Sequence, residues 1–164
     1  MKALFLGFVI VFSSLAASAQ QVSGTDKVIT SYIALKNALV GSNAALAKTR
    51  SKELLNTLSV KPADLKPAQQ LLYSKYADKL KLDSRHISES SVLARQREHF
   101  SSLSKNMYAL LSALKTNSSP LYQQYCPMKK ASWLSETEEI RNPYYGDEML
   151  ECGTVKATLN PASK

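Results

Sequence analysis

The chain has 164 residues, a formal net charge of +8, 45% hydrophobic and 21% charged residues, two cysteines and one tryptophan. That length suits one domain able to bury a core of its own, which makes disulfides optional. From residue 20 to 119 basic residues outnumber acidic ones about two to one, whereas acids outnumber bases from 120 to 160. The Lys and Arg are spread without a run of like charge, which argues for a solvated helical surface rather than a nucleic-acid or membrane-binding stripe.

Met1-Lys2 is followed by an apolar run from Ala3 to Phe12 and by small residues ending Ala17-Ser18-Ala19. This is the pattern of a secretory signal peptide over residues 1–19. The run is too short to span a bilayer, so the expected product is periplasmic or secreted, with residues 20–164 as a single helical domain. In that compartment a disulfide is chemically permitted.

Val28, Ile29, Tyr32, Ile33, Leu35, Leu39 and Val40 recur at three- and four-residue spacing and predict a helix over 26–40, capped by Thr25 or Asp26 and stopped by Gly41. Ser42-Asn43 caps a second helix over 44–58, with Ala47, Leu54, Leu55 and Leu58 on its inner face. Lys61-Pro62-Ala63-Asp64 breaks the chain, and Pro67 opens a third helix whose buried face is read as Leu65, Ala68, Leu71, Leu72, Tyr76 and Leu80. The pattern weakens over 81–86, and Ser88 or a serine just after it caps a fourth helix to about Lys115. Its stripe is Val92, Leu93, Gln96, Phe100, Leu103, Met107, Leu110, Leu111 and Leu114. Four helices with short joints predict an all-α fold, a four-helix up-down bundle over 25–115.

Thr116 to Pro120 reads as a linker. Over 120–153 the expectation is an irregular segment packed on the bundle through Trp133 and Leu134, with at most one helical turn near Leu121, Tyr122 and Tyr125. Residues 154–164 read as a tail.

This segment holds both cysteines and two of the four methionines. Cys126-x-Met128 and Met149-x-x-Cys152 are paired soft donors, and thiolate with thioether selects Cu(I) or Ag(I) over hard cations. Pro127, Asn142-Pro143 and Gly146 can turn the chain so that the two pairs meet. Asp147, Glu148 and Glu151 favour a cation nearby, and His99, beside Phe100, is a further ligand candidate. The competing reading of Cys126 and Cys152 is a disulfide, whose loop closure contributes about 3 to 4 kcal/mol in the entropy model. Methionines are also core filler, and a lone histidine is most often structural. No Ser/His/Asp pattern, catalytic carboxylate pair, P-loop or zinc signature is present, so neither an enzyme nor an organic cofactor is expected.

Leu121-Tyr122-Gln123-Gln124-Tyr125-Cys126-Pro127-Met128, Trp133-Leu134-Ser135, Glu139-Ile140-Arg141-Asn142-Pro143-Tyr144-Tyr145-Gly146 and Met149-Leu150-x-Cys152-Gly153 resemble the domain-of-unknown-function family 3347. Tyr32-x-x-Leu35-Lys36-x-Ala38-Leu39-Val40 and Gln96-Arg97-x-His99-Phe100-x-x-Leu103-Ser104 extend the resemblance over nearly the whole mature chain. The resemblance implies an exported helical domain, found alone or fused to periplasmic adaptors of copper- and silver-type efflux systems. It puts Cys126, Met128, Met149 and Cys152 forward as metal ligands, with His99 behind them. No adaptor-like strands precede the helices, so the expectation is a protein acting alone as a metal carrier or sequestering protein, with an efflux adaptor or other periplasmic protein as partner. The alternative is a non-catalytic interaction domain locked by a Cys126–Cys152 disulfide, presenting Trp133, Tyr144 and Tyr145 to a partner protein.

Overall fold

The computed structural model describes residues 22–162. The signal-peptide reading of residues 1–19 lies outside the described residues.

Four helices follow one another: α1 (Gly24–Val40), α2 (Ala44–Ser59), α3 (Pro67–Glu89) and α4 (Leu93–Leu114). The N-cap of α1 is Ser23, two or three residues before the expected Thr25 or Asp26; its hydroxyl accepts from the Asp26 N–H at 3.0 Å. The joint after α1 turns on Ser42, which takes the left-handed conformation at φ +51 while Gly41 does not. Asn43 then caps α2 through its side-chain oxygen, which accepts from the Leu46 N–H at 2.9 Å. Pro67 stands at the start of α3 as expected.

Two expectations for α3 are corrected. It does not stop over 81–86 but runs on to Glu89, where Ser90 to Val92 make the connection. Its buried face is Tyr73, Ala77, Leu80 and Ile87, with Leu71 75% exposed. The step from Tyr73 to Ala77, then three to Leu80 and seven to Ile87, is a helical stripe rotated away from the one the leucines suggested.

Consecutive helices pack against each other, and the core runs through Val28, Leu35 and Leu39 of α1, Leu54 and Leu58 of α2, and Leu103, Met107 and Leu110 of α4. Met107 is fully buried core.

The all-α expectation is also corrected. Strands β1 (Leu121–Cys126), β2 (Ala131–Ser135) and β3 (Thr154–Leu159) form an antiparallel sheet in the order β2-β1-β3. Leu121 to Tyr125 is therefore a strand and not a helical turn, and the expected tail after Gly153 supplies an edge strand. The ladder between β1 and β3 has a register shift at Gln123 and Gln124. Strand β2, Ala131-Ser132-Trp133-Leu134-Ser135, packs on α4 with Trp133 and Leu134 buried.

The sheet is attached by aromatic stacking and polar struts. Tyr32 of α1 stacks on Phe100 of α4, with centroids 5.4 Å apart, and Phe100 meets Tyr144, which meets Trp133 edge-on. The Tyr32 hydroxyl lies 2.7 Å from Ser104 Oγ and accepts from the Leu134 N–H at 3.1 Å, so one phenol joins α1, α4 and β2. Burial raises its pKa far above the ordinary value, against the pull of both hydrogen bonds.

Candidate functional site: a cysteine pair at the end of the sheet

Cys126 is the last residue of β1, opposite Ala131 across the hairpin. The turn between them, Pro127 to Lys130, ends with Lys130 at φ +55. Pro127 fixes its own φ and withdraws one donor, leaving the N–H of Lys129 to approach Cys126 Sγ at 3.4 Å. On the other side Tyr125 pairs with Thr154, so the chain entering β3 brings Cys152 alongside. The two sulfurs stand 3.5 Å apart, Cys126 buried and Cys152 half-buried, and both are free thiols.

Three features hold the second cysteine in place. The buried Asn142 side chain donates to the Cys152 carbonyl at 2.8 Å and accepts from the Tyr144 N–H at 2.9 Å, while its own N–H reaches Leu150 O at 2.8 Å. Gly153 lies so close beneath Trp133 that a Cβ there would come within 2.9 Å of the indole. Gly146, at φ +58, presses on the α1–α2 joint, where a Cβ would meet Ser42, Arg97 and the Val40 carbonyl. The Arg97 guanidinium completes the clamp, donating to Pro143 O at 2.9 Å, Ser42 Oγ at 3.0 Å and Leu39 O at 3.2 Å. The expected chain reversal through Asn142-Pro143 and Gly146 is thus present, but it is fixed by buried amide and guanidinium groups.

The two thiols are not equivalent. Burial works to raise the Cys126 pKa, but the Lys129 N–H, the Cys152 thiol, the Asn142 side chain and the Met128 N–H together lower it below the ordinary thiol value. The hydrogen bond to Cys126 first, and then burial, raise Cys152. When the pair loses its first proton, this asymmetry favours its loss from Cys126.

The remaining expected ligands are placed differently. Met128, 64% exposed, stands on the hairpin turn, and Met149, 37% exposed, precedes Cys152, whose N–H donates to the Met149 carbonyl at 3.2 Å. His99 is turned toward α3: its ring lies 4.6 Å from that of His86, and Nδ1 is 3.7 Å from Asp83 Oδ1. Among the described residues no three His, Cys, Asp or Glu side chains are arranged to hold a metal ion, so His99 does not complete a site with the cysteines. Trp133 and Tyr144 are 1% and 4% exposed, and the Tyr144 hydroxyl donates to Ser132 O. They are core groups, which removes them from any surface offered to a partner.

Sequence reasoning missed Tyr32, Arg97 and Gln124 as organisers of this region, and it named Asn142 for its place in a turn but not for its buried side-chain hydrogen bonds. Gln124, fully buried, donates to the carbonyls of Thr137, Glu138 and Glu139 and so replaces backbone pairing in that loop. The available signal was an unexplained amide before Pro143 and a Gln-Arg pair at the start of the helix-4 stripe.

A helical layer carrying a three-stranded cap with a thiol pair at the cap's edge is the class of protein these elements define. The chain belongs to the family described as "Protein of unknown function (DUF3347)", which matches over residues 28–119. The match covers most of the four helices and ends before β1, so the cysteine-bearing cap lies outside it. No curated protein and no solved structure matches the chain.

Proposed function

We propose that this is an exported, non-catalytic carrier or sequestering protein for a soft monovalent metal, Cu(I) or Ag(I), in heavy-metal homeostasis, working in the periplasm or outside the cell. The observation that carries this reading is the pair of free sulfurs 3.5 Å apart at the sheet end. Two thiolates on one ion at bonds of about 2.3 Å stand about 3.8 Å apart in tetrahedral geometry, so the observed separation needs little adjustment. The N–H groups facing Cys126 favour its thiolate, the form that binds metal. Met128 and Met149 are exposed beside the pair in sequence, where their flexible thioethers can join or leave the ion's coordination. Exposed Asp147, Glu148 and Glu151 favour a cation on this face. The four helices, read as an up-down bundle, serve as the platform, and the partner that receives or delivers metal is an efflux adaptor or another exported protein.

The test is an anaerobic Cu(I) competition titration of the reduced protein against a chromophoric chelator. One-to-one binding that weakens markedly in Cys126→Ser and moderately in Met149→Leu is the expected result. Binding unchanged by both substitutions contradicts the ligand assignment.

The same separation favours a second reading, a crosslinked interaction domain. Closing 3.5 Å to a bond of about 2.05 Å is a small movement. Exchange with an external disulfide would oxidise both thiols and pass their two hydrogens to the exchange partner. A protein isolated from its native compartment with a mass two hydrogens lower, free of thiol and inert to Cu(I), would favour this reading.

A further inference from the structure

The structure assigns a second metal site to the groove between α3 and α4, with His86 and His99 as nitrogen ligands for a divalent first-row transition ion and Asp83 holding the His99 ring. This inference does not rest on the sulfur site. Its walls come from α3, the α3–α4 joint and α4, whereas Cys126 ends β1 and Cys152 lies just before β3.

His86 and His99 are the only two histidines of the chain, thirteen positions apart, yet the antiparallel packing of α3 on α4 sets their rings 4.6 Å apart at an angle of 57°. Two imidazoles bound to one tetrahedral ion through bonds of about 2.0–2.1 Å have centroids about 5 Å apart, so small side-chain rotations suffice. Asp83 lies one turn before His86 on α3, 8% exposed, with its carboxylate 3.7 Å from His99 Nδ1. A carboxylate behind one ring nitrogen fixes the tautomer that leaves Nε2 free to bind metal, an arrangement common behind histidine ligands.

The site is open. The groove measures about 550 Å³, and Glu89, Ser90 and Arg95 complete its rim. Glu89 favours a cation there and Arg95 opposes it, so two imidazoles with water filling the other positions describe a labile site. The nitrogen donors select Zn(II), Co(II), Ni(II) or Cu(II), a class of ion different from the one the thiol pair selects.

The experiment is a Co(II) titration of the untagged, reduced chain, followed by visible absorption. The expected result is a one-to-one complex with ligand-field bands and no sulfur-to-cobalt charge transfer. Its midpoint should rise at least tenfold in His86→Gln and in His99→Gln, and about 10- to 100-fold in Asp83→Asn. Cys126→Ser should leave it unchanged, and the histidine variants should leave Cu(I) binding by the thiols unchanged. A charge-transfer band, or a midpoint that ignores both histidine substitutions, would overturn the assignment. Zn(II) added to the unmodified protein provides a readout independent of variant folding: the two imidazole Cε1–H resonances should respond with one midpoint. Response of one ring alone, or of neither, counts against the site.

Discussion

From Val28 to Leu114 burial is carried mainly by Leu, Val, Ile, Ala and aromatic side chains repeated along helix faces, whereas from Leu121 to Leu159 a few apolar groups, chiefly Leu121, Trp133, Leu134 and Tyr144, are buried together with the amides Gln124 and Asn142. The helical layer is held by area, which many residues share, and the cap by a few groups that each satisfy several backbone atoms. Gln124 holds the Thr137 to Glu139 loop that follows the Trp133 strand, and Asn142 with Arg97 holds the approach to Cys152. Redundancy in the first region and its lack in the second explain how a sulfur pair can be set within 3.5 Å on a cap of about forty residues.

The largest expected effect that separates the two regions is Trp133→Ala. Removing the fully buried indole should cost about 3–5 kcal/mol, with loss of near-ultraviolet circular dichroism before the helical signal falls in a denaturant titration. A single transition with an unshifted midpoint would break the comparison, because it would mean that the cap contributes nothing of its own.

Asn142→Ala comes next. It leaves the Cys152 carbonyl and the Tyr144 N–H short of partners at a buried position, a loss of about 1–3 kcal/mol. It also removes one of the groups that favour the Cys126 thiolate. Thiolate absorbance measured against pH should therefore move upward in its first step as well as stability falling in denaturant; a stability change alone would confine Asn142 to the loop.

A smaller effect concerns the thiols themselves. In the reduced protein the first proton should leave below the ordinary thiol range of about 8.5 and the second above it. Because the Cys126 pKa is lowered on folding, its hydrogen bonds contribute stability that is fully present above the unfolded-state thiol pKa and is lost as pH falls through the lowered value. Cys126→Ser should abolish the early step, and two coincident steps at the ordinary value would remove the asymmetry.

The division between the two regions is also the division between what was and was not legible in the sequence. Apolar spacing located four helices, with Asn43 and Pro67 at the starts of the second and third, because packing on one face imposes a 3.6-residue period, but it ended α3 over 81–86 where the helix runs to Glu89. It placed Leu65 and Leu80 correctly but misplaced the rest of the inner face of α3, where Leu71 and Leu72 outweighed the sparser Tyr73, Ala77 and Ile87. The strands were harder. β1 buries Gln124 beside Leu121 and Cys126, so it has no apolar alternation to detect. β3 did carry one, Val155, Ala157 and Leu159, hidden in what read as a tail. The meeting of Cys126 and Cys152 was anticipated from Pro and Gly positions. The departure of His99 was not, since its neighbour Phe100 faces the core while one residue along a helix turns the side chain by about 100°.

The smallest expected effect tests that correction. Leu71→Ser should change stability by no more than about 0.5 kcal/mol, as an exposed side chain should, whereas Ile87→Ala, outside the leucine stripe, should cost about 2–5 kcal/mol. Equal losses in a denaturant titration would restore the leucine stripe.

The central claim, that the cap's sulfurs hold a soft ion, is tested most directly by copper X-ray absorption on the reduced protein loaded with one equivalent of Cu(I). The expected result is a nearest shell made of sulfur alone that loses a scatterer in Cys152→Ser. A shell of nitrogen or oxygen, or one that the substitution leaves intact, would contradict it.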